Sequence, residues 1–235
     1  MTGTLYGVGI GPGDPELITL KALRCLRAVP VIAYPAPPEG DSLARSIVEP
    51  HLAGGQREIA IRMPMVAARF PAQEVYDRAA EEIGGELEDG RDVAVLCEGD
   101  PFFYGSFMYL FGRMADRYPV EVIPGVSSLT ACAAVLGAPL VARNDVLTVV
   151  PATLKPEEIK RRLAEGGEAA AIVKVGRNLE KVRAVLGDLG LADKARYVEH
   201  ATMASQKILP LAAVGAEAAP YFSMILVHRR GEAWR

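Results

Sequence analysis

A chain of 235 residues, half of them hydrophobic and 23% charged, carries a formal net charge of −3. That is long enough for one large α/β core or two smaller ones, and too near neutrality to make nucleic acid or an anionic membrane the main partner. No apolar run approaches the roughly 18 residues that span a bilayer, and the start lacks the basic segment and apolar core of a leader, so a cytoplasmic location is expected.

Short β-branched runs alternate with amphipathic ones along the chain. Residues 4–8 read as a first strand. Asp14 is placed to cap a helix with Pro15 at its first position, where a missing N–H costs nothing. Leu17, Leu20, Leu23 and Leu26 then form a stripe at helical spacing. Strands are expected at 29–34 and 58–63, with a short helix at 42–52 between them. Residues 73–87 read as a helix weakened by Gly84 and Gly85. Residues 92–97 are almost continuously apolar, as in a strand covered on both faces. A helix at 105–117, a strand at 120–123 and a small-residue helix at 127–136 follow.

The irregular stretch GAPLVARND, residues 137–145, separates this half from a second. There the pattern restarts with a strand at 146–150, a helix at 156–164, a strand at 169–175 and a helix at 179–189. Strands at 196–199, 207–211 and 222–227 complete it. Repeated β/α alternation predicts two α/β domains, 1–143 and 144–235, with a ligand cleft between them.

Cys25, Cys97 and Cys132 are far apart in apolar surroundings and read as reduced, buried thiols. No histidine lies three to five residues from another histidine or a cysteine, so no metal site is expected.

The first strand runs into GVGIGPGDP, in which Gly7, Gly9, Gly11 and Gly13 alternate. A dinucleotide fingerprint needs glycine at i, i+2 and i+5, and the last position falls on Pro12, Asp14 or Glu16 in the three registers. The phosphate loop ending in Gly-Lys-Ser/Thr is absent. The G-x-G-x-G turn of Rossmann-like methyltransferases fits Gly7, Gly9 and Gly11. However, the second strand ends in AYPAPP with no ribose-binding acid before Glu39. A purely geometric role for the glycines stays open.

Two further loops have the same grammar. VAVLCEGDPFFYGS runs from a buried strand into Glu98, Gly99, Asp100 and Pro101, then aromatics. VEVIPGVSSLTA ends a strand at Pro124-Gly125 and opens a helix at Ser127 and Ser128. Ligands of open α/β sheets bind outside the carboxyl ends of the strands, where free helix N–H groups are also available.

GVGIGPGDPELITLKA, EGDPFFYGS and EVIPGVSS, in that order, resemble the tetrapyrrole methylase family, and the resemblance covers nearly the whole chain. It implies two α/β domains of the class III methyltransferase type holding S-adenosylmethionine between them. Mapped by motif, it implies cofactor contacts at Pro12, Glu98, Gly99, Asp100, Phe103, Ser127 and Ser128. In the second domain it implies Val175, Ala201 and Ser223, many acting through backbone atoms. AYPAPPEGDSLARSIV, LCEGDPFFYGSFMYLF and IVKVGRNLEKVRAVLGDLGL look most like the branch that methylates carbon 20 of precorrin-2 to precorrin-3A on the way to cobalamin. Most other ring methylases carry Gly-Gly-Asp where this chain has Glu98-Gly99-Asp100, and often Thr-Arg-Pro where it reads HATMASQ. A cobalt-containing precorrin-2 remains an alternative substrate, and a non-catalytic tetrapyrrole-binding protein an alternative class. The resemblance implies a homodimer and names no catalytic side chain, with Tyr104 the nearest polar aromatic. Asp100 either meets the cofactor or fixes its own turn. Arg62, Arg69, Arg113 and Lys174 are candidates for the substrate's carboxylates.

Overall fold

The structure is a computed structural model describing residues 1–63, 69–215 and 219–231; the side chains of residues 69–72 fall outside that description. The chain divides into two compact units, Met1–Ser127 and Ser128–Arg235. In the first unit the elements run β1 (Leu5–Gly9), α1 (Leu20–Ala28), β2 (Val31–Ala36), α2 (Leu43–Val48), β3 (Arg57–Arg62), α3 (Arg69–Glu88), β4 (Val93–Cys97), α4 (Phe107–Met114) and β5 (Val120–Ile123). The five strands form one sheet in the order β3-β2-β4-β1-β5, and every pairing is parallel. Parallel strands need both faces covered, which is why β4 is buried throughout and reads as an unbroken apolar run. Val93, Val95 and Cys97 face the core under α3 and α4, while Ala94 and Leu96 face the core under α1 and α2.

The second unit contains α5 (Ser128–Leu136), β6 (Leu147–Pro151), α6 (Pro156–Glu165), β7 (Ala169–Val173), α7 (Leu179–Asp188), β8 (Ala195–Glu199), β9 (Lys207–Pro210) and β10 (Ser223–His228). Its sheet has the order β6-β7-β10-β8-β9. Only β6 and β7 pair in parallel, because β10 runs against both its neighbours and β9 against β8. Helices α6 and α7 cover one face, and α5 covers the other with Leu129 and Cys132 against Ala171, Val198 and Met224.

That packing places α5 with the second unit, so the division falls at 127/128, ahead of the boundary expected at 143/144. The helix lies with the first half in sequence, whereas its apolar face belongs to the later sheet. The first helix also differs. Asp14 Oδ1 accepts the Glu16 N–H at 2.8 Å, but this caps a single 3-10 turn, Pro15–Leu17. The chain is extended again at Ile18, and Thr19 caps α1 afresh through the Ala22 N–H. The restart rotates the buried face onto Ala22 and Leu26 and leaves Leu20 75% exposed, so the expected leucine stripe is broken.

Asp145 ties the segment before β6 to the end of β10. It accepts the Ala142 N–H at 2.9 Å and lies 3.3 Å from His228 Nε2, and Arg230 contacts both its oxygens at 2.7–2.8 Å. The Ala142 N–H, followed by Arg230 and His228, holds this carboxyl below its ordinary value. A lowered folded value adds stability above the unfolded carboxylate range and loses it as pH falls through the folded value. Asp145→Asn is therefore expected to lower the melting temperature at pH 7 and to flatten its further decline below about pH 4; thermal melts across pH check both.

Candidate functional site

The three motif loops follow β1, β4 and β5, which are adjacent and parallel, so all three loops leave the same edge of the first sheet. They are joined there by main chain. Gly11 and Gly99 pair in an isolated antiparallel bridge, with the Gly99 N–H donating to Gly11 O at 2.7 Å. The Gly125 N–H donates to Asp100 Oδ2 at 3.0 Å and ties in the third loop. A Cβ on Gly9 would overlap the Gly125 nitrogen and lie 2.8 Å from Gly99 O. One on Gly125 would overlap Gly99 O and lie 2.8 Å from the Gly9 Cα. Gly9 and Gly125 thus let backbones touch where side chains would force them apart. Gly7 serves a different neighbour, since a Cβ there would enter the ring of the fully buried Phe107 at the start of α4.

Around this knot Pro12 is buried, Ser127 is half-buried and Ser128 is exposed. Asp100 uses both carboxylate oxygens on backbone, the second taking the Phe102 N–H at 2.9 Å. Of the two roles left open for Asp100, turn fixing is the one with visible partners, and it extends to a second loop. Glu98 directly follows β4 and is half-buried, and desolvation raises its carboxyl above the usual range, partly offset by its own backbone N–H. Phe102, Phe103 and Tyr104 all present substantial surface, and the Phe103 and Tyr104 rings meet edge to face at 5.1 Å. Tyr104 sits at φ +58, a left-handed backbone uncommon outside glycine.

In the second unit, the ends of β7 and β8 and the start of β10 share one edge, because β10 is antiparallel to both. Val175, Ala201 and Ser223 are all buried there. Ser223 Oγ donates to Pro220 O at 2.7 Å and accepts the Gly176 N–H at 3.3 Å, and the His200 N–H donates to Phe222 O at 2.8 Å. Lys174, His200 and Thr202 at the same edge have φ of +58, +46 and +70. Left-handed non-glycine residues cost about 1 kcal/mol or more each and concentrate at functional sites. Nothing in the sequence marked these three, because any residue type can be forced into the conformation by its surroundings. Tyr197, fully buried, donates to Glu199 Oε1 at 2.7 Å just before this turn, and burial followed by that bond pushes its phenol up.

The candidate carboxylate-binding cations are mostly occupied. Arg62 Nη1 donates to the carbonyls of Pro37 and Pro38 at 3.0 and 3.3 Å, which fixes the segment after β2. Arg113 joins α4 to α3 through Asp77 and Gln73 at 2.7 Å. Lys174 lies exposed at the second unit's edge, and the Arg69 side chain lies outside the described residues. Among the described residues no three His, Cys, Asp or Glu side chains are grouped to hold a metal ion.

Gly125→Ala is expected to destabilise the protein by about 3 kcal/mol, the upper end for overpacking, because the three nearest atoms its Cβ meets are backbone with no rotamer to yield. Gly187→Ala, where a Cβ would meet nothing within 4 Å, is the matched control. Urea unfolding of the pair checks the contrast.

Comparison with known proteins bears on the same chain. The family model described as Tetrapyrrole (Corrin/Porphyrin) Methylases matches residues 4–214. A Sinorhizobium protein named precorrin-2 C(20)-methyltransferase is 44% identical over 233 residues, covering 96% of this chain and 95% of that one. The Mycobacterium tuberculosis cobalamin biosynthesis protein CobIJ is also 44% identical over 96% of this chain, which spans only 46% of its length. The cobalt-precorrin-2 C(20)-methyltransferase of Salmonella typhimurium is 32% identical over 99% of both chains. A solved structure of uroporphyrin-III C-methyl transferase from Thermus thermophilus, complexed with S-adenyl homocysteine, superposes with a TM-score of 0.66 at 26% identity. The superposition covers 96% of this chain and 97% of that one. The chain belongs to the tetrapyrrole (corrin/porphyrin) methylases.

Proposed function

We propose that this protein transfers a methyl group from S-adenosylmethionine to carbon 20 of precorrin-2, giving precorrin-3A. The observation that carries the reading is the joining of three glycine-containing loops at one sheet edge, in a chain that belongs to this family. The ring position rests on likeness to the Sinorhizobium protein over nearly the whole of both chains.

The residues suit the donor in kind. An adenosine takes apolar surface on its faces and a few amide or hydroxyl partners at its edges. The proposed contacts supply these as loop backbone at Pro12, Glu98, Gly99 and Asp100, hydroxyls at Ser127 and Ser128, and aromatic surface at Phe103. In the second unit they are buried Val175, Ala201 and Ser223, whose side chains are packed or already bonded, so their contribution is through main chain. When bound, the donor supplies an electrophilic methyl on a positively charged sulfur. The chain's own part is to hold that methyl against a nucleophilic ring carbon in near-attack geometry and to keep water away. The exposed face of Phe102 suits a large planar ring. Asp100 acts as a positioning residue by holding the second and third loops together.

A homodimer in the cytoplasm is part of the same proposal, on the strength of the family resemblance. Among the described residues no helix is long and apolar enough to cross a membrane.

Incubation with S-adenosylmethionine and precorrin-2, with and without cobalt in the ring, is expected to add a single methyl by mass spectrometry, faster on the metal-free ring. No mass gain on either ring would sink the reading, and a preference for the cobalt form would move it to the Salmonella-like activity. Asp100→Ala is expected to weaken S-adenosylhomocysteine binding about tenfold, the equivalent of one lost charge-assisted hydrogen bond. Unchanged affinity in calorimetric titration would remove Asp100 from the positioning role. Sedimentation velocity tests the dimer.

A further inference from the structure

Four acids stand in the first two loops of the first unit's edge; Glu16 is exposed, and Asp14 and Asp100 are spent on backbone. Asp14 takes the Glu16 N–H, and Asp100 takes the N–H groups of Phe102 and Gly125. Glu98 differs. The one hydrogen bond favouring its ionised form comes from its own backbone, and it sits half-buried at the end of the sheet's fully buried strand. Its position is nevertheless fixed, by β4 on one side and by the Gly99–Gly11 pairing on the other. A carboxyl carried on a fixed stretch of backbone, partly dehydrated and not bonded to a neighbouring loop, has what a proton acceptor needs.

Resting on the methyl-transfer reading above, we infer that Glu98 is the general base that removes the proton from the ring carbon after that carbon has been methylated. The electron count requires such a step. A trigonal ring C–H that takes a methyl spends its π pair on the new carbon–carbon bond, and the old carbon–sulfur pair stays with the departing thioether. The ring is then cationic, and its methylated carbon carries both hydrogen and methyl. A Glu98 carboxylate oxygen takes the hydrogen as a proton, and the C–H pair returns to the ring π system. The ring regains neutrality and conjugation, and Glu98 later passes its proton to solvent. Dehydration serves this chemistry, because burial raises the carboxyl's affinity for a proton.

Titratable groups on the adjoining strands and loops include Cys97 on β4, Asp100 on the same loop, Tyr104 beyond it, Tyr6 on β1, Asp14 and Glu16 after β1, and Tyr34 on β2. Burial pushes the Cys97 thiol up, and Tyr34 is pushed up to about 12 by desolvation followed by its bond to Glu58. The Pro124–Ser127 loop has no titratable side chain.

The test compares the full-length wild type with Glu98→Gln and Glu98→Asp. For Glu98→Gln, S-adenosylhomocysteine affinity and KM for precorrin-2 are expected to stay within about twofold, while kcat falls about 100-fold. The acid limb of the kcat–pH profile disappears, and Glu98→Asp restores that limb in part. Independently of turnover, carbon-13 NMR of carboxyl-labelled glutamate should show one carboxyl titrating above the rest in the wild type and missing from Glu98→Gln. A Glu98→Gln protein with wild-type kcat, a retained acid limb, or a loss confined to S-adenosylhomocysteine affinity would overturn the assignment. A wild type that binds S-adenosylhomocysteine yet leaves precorrin-2 unmethylated would instead bring down the reading on which it rests.

Discussion

Three peptide backbones meet at the edge of the first sheet, and most of the site's geometry follows from that meeting. Glycine at positions 9 and 125 is required because a Cβ at either would collide with main-chain atoms of the neighbouring loop. The contact holds only if β1, β4 and β5 are neighbours running the same way, as they are. Once the loops touch, Asp100 can reach from the second to the third, while Glu98 is left half-buried just past the end of β4. The second unit reaches a comparable result differently. Its edge is shaped by the left-handed backbones of Lys174, His200 and Thr202 around a Ser223 bonded on both sides.

Much of this was legible in the residues. The alternation of strand and helix, the fully buried strand at 93–97 and the location of the three loops all follow from hydrophobic period and turn chemistry. What was not legible depended on contacts distant in sequence. Leu20 continues a helical stripe only if the helix starts at Pro15, and a capped 3-10 turn followed by a second cap at Thr19 breaks that phase. The helix Ser128–Leu136 is apolar enough to join either half, and only the sheet it covers decides. The alternating glycines looked like ligand contacts, yet Gly7 and Gly9 are first of all spaces for Phe107 and Gly125. A role in backbone contact and a role in ligand contact leave the same mark in a single sequence.

Charge shows the same limit. Several arginines that could have bound an acidic ligand are turned inward onto carbonyl oxygens. Arg62 clamps Pro37 and Pro38, Arg183 reaches the carbonyls of Leu211 and Val214, and Arg229 those of Leu163 and Gly167. A guanidinium with five donors is well suited to gathering the orphan carbonyls of turns and helix ends. These side chains therefore describe how loops are held, and a count of basic residues says little about the ligand.

The place of β10 has a consequence for how the protein is made. All five strands of the first sheet lie before residue 124, so that unit can close as soon as it leaves the ribosome. The second sheet cannot, because its central strand is the last of its strands to be synthesised and must insert between β7 and β8. Until Ser223–His228 arrives, those two strands expose facing rows of unpaired amides and carbonyls. The nascent chain thus passes through a stage in which a finished first sheet is joined to an open one, the state in which it is most exposed to mispairing with another chain.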